Sequence, residues 1–205
     1  MSSESIPVAD LAGLDAIGGR IIVGDLEPDT DLADLDLEEC RIERAGLERS
    51  TWRRCSFDTC TFVGVNLSMS RLVDVRFAEC TMVESKAQAV SWTGLRTSGL
   101  AERPISFERC RLDYSSFMEV DLRRARFIGC SLVDADFAGS DLRETEFVDC
   151  DVSGTRFAGA DVRGARFAQV RGLGLDVRET RSLGLRVDTA AALDLIATMG
   201  IEVDD

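Results

Sequence analysis

The sequence predicts an all-β solenoid whose chain turns a corner every five residues, and three observations predict it. From Phe107 to Phe167 a large apolar residue stands at every fifth position without a miss, Phe alternating with Leu or Val. Two residues before each of these centres sits something small, as at Cys130, Ala135, Ser140, Thr145, Cys150, Thr155, Ala160 and Ala165, while the other three positions are mostly polar, charged or glycine. Helices repeat at about 3.6 residues and strands at 2, so neither is built on a period of five. Fixed-period self-similarity marks units that bury their apolar faces only by stacking. If four fives close one square coil, positions 20 apart lie on top of one another.

The elements follow in order, within a chain of 205 residues that is about one domain in size. In residues 1–21, Val8, Leu11, Leu14 and Ile17 are spaced by three, which predicts a short N-terminal capping helix ended by Gly18 and Gly19. The solenoid is expected over residues 22–187. Its first half has centres at Leu37, Ile42, Leu47, Trp52, Phe57, Phe62, Leu67, Leu72, Phe77, Met82, Ala87 and Trp92. Centres would then fall on Thr97 and Glu102, and Pro104 disrupts strand pairing, so a loop is expected at about 94–104. An excursion of ten residues there would keep Cys40, Cys60, Cys80, Cys110, Cys130 and Cys150 in one column. Beyond it, Phe107, Phe127, Phe147 and Phe167 should form one stack and Phe117, Phe137 and Phe157 another opposite. After Phe167 the repeat weakens through Gly172, Val177, Ser182 and Val187. In residues 188–205, Asp188 or Thr189 can cap a helix of Ala190 to Met199 that Gly200 stops. Its face of Leu193, Ile196 and Ala197 is expected to cover the last coil and to join two copies.

The seven cysteines all fall on multiples of five, and the closest pair is five apart. They read as part of the repeat, small buried fillers that a reducing cytoplasm leaves unbridged. Metal sites use tighter pairs with histidine partners, and the chain has no histidine, so no metal or cofactor is expected. The same lack removes the commonest general base and the Ser-His and Cys-His pairs. An enzyme is not expected. No apolar run of 18 residues suggests a membrane span, MSSESIPVAD lacks the features of a secretory signal, and a cytoplasmic protein is expected.

The net charge of −13 is uneven: residues 1–50 hold 13 acids and 4 bases, whereas residues 51–100 hold 4 and 6. Such a surface should avoid nucleic acid and attract basic partners. Asp121, Asp141 and Asp161, each just before its centre, should stack as an acidic ladder on one side of the rod. Arg126, Glu146 and Arg166 should form a self-compensating one.

The runs ADFAGSDL, TRFAGADV and RGARF resemble the A-(D/N)-L-x-x motif of pentapeptide repeat proteins, over about residues 22–187. The resemblance implies a right-handed quadrilateral β-helix with the centre and the residue two before it pointing inward. It also points to the quinolone-resistance members, which bind DNA gyrase or topoisomerase IV as an acidic rod imitating a duplex. On that reading Asp121, Asp141 and Asp161 meet the partner, and Leu193, Ile196 and Ala197 join two rods end to end. A second reading is a rigid scaffold that contacts an unnamed protein through the loop with nearby Trp92 and Arg96, since loops on rigid frames often carry function.

Overall fold

A chain that turns four corners per coil must place one residue of each five in a backbone conformation that strands do not use. In the computed structural model, which describes residues 5–96 and 103–203, that residue stands two after each centre. Twenty non-glycine residues there, from Asp29 to Gln169, have φ between 49° and 65°. The left-handed region is costly for a residue with a Cβ. The cost is offset because most of these corner N–H groups, like the strands, bond the coil beside them, as in Arg54 N to Val73 O at 2.9 Å.

The result is a parallel β-helix of four faces with one short C-terminal helix. Its first face is a ten-stranded parallel sheet running from Ser5–Pro7 to Arg186–Val187. Nine strand steps at about 4.8 Å give a rod of about 43 Å. The third and fourth faces open as sheets of three and four strands and continue as single bridges, such as Ser116 to Asp136 and Asp121 to Asp141. The second face is built of such bridges from Gly46 to Arg171.

Inside, the alternation of Phe with Leu or Val becomes two opposed phenylalanine columns. Phe107, Phe127, Phe147 and Phe167 stack on the first face with centroids 4.6–5.1 Å apart. Trp92, Phe117, Phe137 and Phe157 stack on the third at 4.7–5.6 Å. Between columns the rings meet edge to face, as Phe127 does Phe137 at 5.7 Å and 89°. Both arrangements suit the aromatic quadrupole. Inward hydroxyls are satisfied by the coil below, as Thr145 Oγ1 donates to the Leu122 carbonyl at 2.9 Å.

Three expectations need correction. The first 21 residues do not form a separate helical cap: Ser5–Pro7 pairs with Ile21–Val23 and Ala16–Gly18 with Asp36–Glu38. Only Val8–Leu11 is helical, as one 3-10 turn that buries Val8 and Leu11 over the open end. Ile17 is a strand centre opposite Leu37, because spacing by three fits a tight turn followed by a corner as well as it fits a helix.

The excursion adds five residues to its coil, not ten, since Met82 pairs with Phe107 and Lys86 with Arg111. The cysteines therefore fall into two columns, Cys40, Cys60 and Cys80 in one and Cys110, Cys130 and Cys150 in another. Residues 97–102, the middle of the expected loop, lie outside the described residues. In the last coil Gly172 is not a centre. It turns at φ 70°, and Leu173 and Leu175 fill the core instead, 1% and 0% exposed.

Candidate partner-binding surface

The expected acidic ladder exists as backbone geometry but not as a field of negative charge. Asp121, Asp141 and Asp161 are bridged in register on the fourth face. Two residues on, across the strand, runs a second ladder of Arg123, Arg143 and Arg163. Each guanidinium forks its own carboxylate, Arg123 on Asp121 at 2.8 and 2.5 Å and Arg163 on Asp161 at 2.8 and 2.6 Å. Each of the first two also leans to the next coil, Arg123 lying 3.6 Å from Asp141 and Arg143 4.0 Å from Asp161. Bidentate pairs of this kind are the strong ones. The Arg163 guanidinium holds the Asp161 carboxyl below its ordinary range against a smaller opposing effect of burial. At Asp121 burial pushes the other way, and the bonds from Arg123 outweigh it. The stretch is a neutral zipper, so the three aspartates do not offer a partner unbalanced charge. In the ladder of Arg126, Glu146 and Arg166, Arg126 donates to Glu146 at 3.1 Å, whereas Arg166 makes no ion pair with Glu146 among the described residues, so the compensation covers one arginine of the two.

Unbalanced charge sits instead at the N-terminal coils. There Asp29, Asp31 and Asp34 are paired with Arg49, Arg53 and Arg54. Asp36, Glu38 and Glu39, all exposed on the fourth face, make no ion pair among the described residues. Above them lie Ala16 and Gly18, and below them Ser56 and Asp58. The net −9 of residues 1–50 was legible in the sequence; which acids lack an arginine was not, because that depends on residues two or 20 positions away.

Trp92 is a core residue, 0% exposed and stacked on Phe117 at 5.6 Å, so it presents nothing to a partner. A large centre at a fifth position belongs inside even beside a loop. Its indole N–H has no hydrogen-bond partner. Arg96 is exposed and lies 3.3 Å from Asp74. The structure brings it together with neither Trp92's ring nor the aspartate ladder.

One surface escaped the sequence reading. On the third face and its leading corner, Met69, Val73, Tyr114 and Met118 are 57%, 49%, 64% and 41% exposed. The two pairs stand two coils apart, with Ala89, Ser91 and Thr93 of the intervening coil between them and Arg71 exposed between Met69 and Val73. The signal was present: large apolar residues at positions one or two after a centre, where polar ones are the rule.

At the C-terminal end a helix spans Thr189–Thr198, and Asp188 caps it by accepting from Ala191 N at 3.0 Å. Ala191 and Leu195 pack onto the last coil. Leu193 and Ala197 are exposed and Ile196 half-buried, so this face does not cover the coil as expected but looks away from it. Leu183 and Ile201 extend the apolar end, 84% and 51% exposed. Among the described residues no group of three or more ligating side chains converges on a metal position, and no helix is long and apolar enough to cross a membrane.

Comparison with known proteins accords with this geometry. The family model described as a pentapeptide repeat region matches residues 30–117 and 120–180. Trypsin-treated QnrB1, a plasmid-mediated fluoroquinolone resistance protein, superposes with a TM-score of 0.69 at 15% identity, covering 91% of this chain and 99% of that one. A second trypsin-treated QnrB1 variant gives 0.63 at 14% identity over 92% and 100%. At such identity the likeness is one of fold. No curated protein matches the chain in sequence.

Proposed function

Because the chain belongs to the pentapeptide repeat family, we propose that it is a non-enzymatic, cytoplasmic binding rod whose partner is a type II topoisomerase, DNA gyrase or topoisomerase IV. Bound there, it would protect the enzyme from a quinolone or a similar poison. The observation that carries this reading is the bare acidic surface of the N-terminal coils, Asp36, Glu38 and Glu39, at one end of a straight β-helical rod. A groove that holds phosphates with basic residues attracts such a surface. The fluoroquinolone resistance of QnrB1, similar in fold over nearly its whole length, supports the choice of partner. The contact moves from the central aspartates, which their arginines neutralise, to the first coils. The outward face of Leu193, Ile196 and Ala197, with Leu183 and Ile201 beside it, supports an isologous dimer through the C-terminal end. Supercoiling by purified gyrase, with and without a quinolone, tests the proposal: inhibition or drug rescue at micromolar protein is expected. No effect in either assay would refute it.

A second reading has its own observation. The exposed apolar side chains of Met69, Val73, Tyr114 and Met118, with Arg71 standing between the first two, suit a scaffold that holds a protein mainly through apolar contact, since exposed apolar patches mark interaction sites. On this reading Tyr114→Ser with Met118→Ser should weaken binding at least tenfold, and added salt should leave the wild-type affinity nearly unchanged.

A further inference from the structure

Cys40, Cys60 and Cys80, and separately Cys110, Cys130 and Cys150, form two ladders of unbridged thiols along the inner corners of the rod. Within each ladder every sulfur has the same two anchors, the carbonyl two residues back and one from the coil below. Cys110 lies 3.3 Å from both the Glu108 and Met82 oxygens. Cys130 lies 3.5 Å from those of Ile128 and Phe107, and Cys150 3.4 and 3.3 Å from those of Val148 and Phe127. Identical anchors mean one rotamer. The coils are in register at the adjacent residues Arg111, Ser131 and Asp151. One coil step therefore carries each sulfur onto the next, and neighbouring sulfurs stand one strand spacing apart, about 4.8 Å.

That spacing decides between the two chemistries open to neighbouring thiols. A disulfide needs β-carbons about 3.8 Å apart and sulfurs about 2.05 Å apart, so two hydrogen-bonded coils would have to close by about 1 Å. A metal ion held in line between two thiolates needs sulfurs two bond lengths apart, about 4.6 Å at about 2.3 Å each. The ladder already has that separation. Three sulfurs in a row do not surround a point, which rules out the tetrahedral ions. Charge narrows the class again: two thiolates cancel a divalent ion, whereas a monovalent one leaves a net charge in a buried corner, which is costly.

We propose that each ladder is a binding site for one soft, linearly coordinated divalent cation of the mercury(II) class. Binding forms two metal–sulfur bonds, releases the two thiol protons to solvent and transfers no electrons. An approach exists at the upper ladder. A surface hollow is lined by Gly129, Cys130, Asp149, Cys150, Asp151 and Arg171, where Gly129 has no side chain to cover the sulfurs and Arg171 pairs with Asp151 at 2.9 Å, leaving Asp149 as the carboxylate that attracts a cation. Cys55 lies alone between Leu35 and Val75 in its own column and has no partner thiol.

Mercuric chloride titrated into the folded full chain, with excess 2-mercaptoethanol to strip ions held by one sulfur, provides the test. Native mass spectrometry should find two ions per chain, with thiolate-to-mercury absorption in the near ultraviolet. Cys130→Ser should lower this to one, because Cys110 and Cys150 are left two steps, about 9.6 Å, apart. Cys110→Ser and Cys150→Ser each leave an adjacent pair and should keep two. Cys130→Ala repeats the test with the residue found at the equivalent position of the next column, Ala135, should the serine disturb folding. Equal loss for the middle and end substitutions, or two ions retained without Cys130, would overturn the proposal.

Discussion

At the residue scale the fold is a repetition of one decision, large or small, in or out. Phe137 is fully buried with a ring above, a ring below and two edge-to-face neighbours. Its column is held by backbone bonds on both sides and cannot collapse around a hole. Phe137→Ala should therefore cost about 3–5 kcal/mol in denaturant unfolding. Trp92 shows a smaller flaw. Its counterpart Trp52 donates to Ser50 Oγ at 2.8 Å, whereas the equivalent residue beside Trp92 is Val90, and the indole N–H is left bare. An unmade buried hydrogen bond costs about 1–3 kcal/mol. Val90→Ser should leave stability unchanged or raise it, while the same change at Val75, which has no indole to satisfy, should lower it. A loss at both sites alike would show that the bare N–H is not costly. Gly94 marks where the chain leaves the coil: a Cβ there would meet the Leu72 carbonyl oxygen at 2.1 Å. Gly94→Ala should lower the melting temperature although the residue lies outside the core columns. These packing roles were legible from the five-residue period. The bare indole was not, because the serine that satisfies Trp52 is recognised only once the rotamers are known.

At the scale of elements, the sequence showed the C-terminal helix to within a residue, since Asp188 and Gly200 are strong start and stop signals. It did not show which face packs. Leu193, Ile196 and Ala197 read as a buried stripe, yet Ala191 and Leu195 do the packing, while Asp194 accepts from the Leu173 N–H and Thr198 donates to the Leu175 carbonyl of the last coil. Asp188 ties the helix to the solenoid, accepting from Ala191 N of the helix and from Gln169 N of the coil beside it at 2.5 Å, and those backbone bonds hold its carboxyl below the ordinary value of 3.8. A carboxyl with a lowered folded pKa contributes stability above its unfolded pKa and loses it as pH falls through the folded one. Ellipticity at 222 nm should accordingly hold down to about pH 4 and then fall, and Asp188→Ala should show the loss already at neutral pH. An unchanged acid profile in that variant would remove Asp188 as the cap. The outward stripe predicts association: Leu193→Glu should convert a dimer to a monomer in light scattering, whereas a wild-type monomer would leave the helix with its capping role alone.

For the whole molecule, a period of five made the rod legible apart from its first turn, where a 3-10 turn and a strand read as a helix, the length of its excursion, and its last coil, where Leu173 and Leu175 replace Gly172 in the core. Charge was legible as a total and as a gradient along the chain, and illegible as a surface. The aspartates at 121, 141 and 161 recur every 20 residues, and so do the arginines at 123, 143 and 163. Only the pleat, which sets residues two apart on the same side, reveals that they cancel. The acidic end survives that cancellation. The most direct measurement is the salt dependence of gyrase binding for two triple variants. In one, Asp36→Asn, Glu38→Gln and Glu39→Gln remove the unpaired acids; in the other, Asp121→Asn, Asp141→Asn and Asp161→Asn remove the paired ones. Wild-type affinity should weaken steeply with added salt and compete with duplex DNA. The first variant should lose at least tenfold in affinity, about 1.4 kcal/mol, and most of its salt dependence, while the second keeps the wild-type slope. Equal binding by the first variant and wild type, or a loss confined to the second, would contradict binding through the acidic coils.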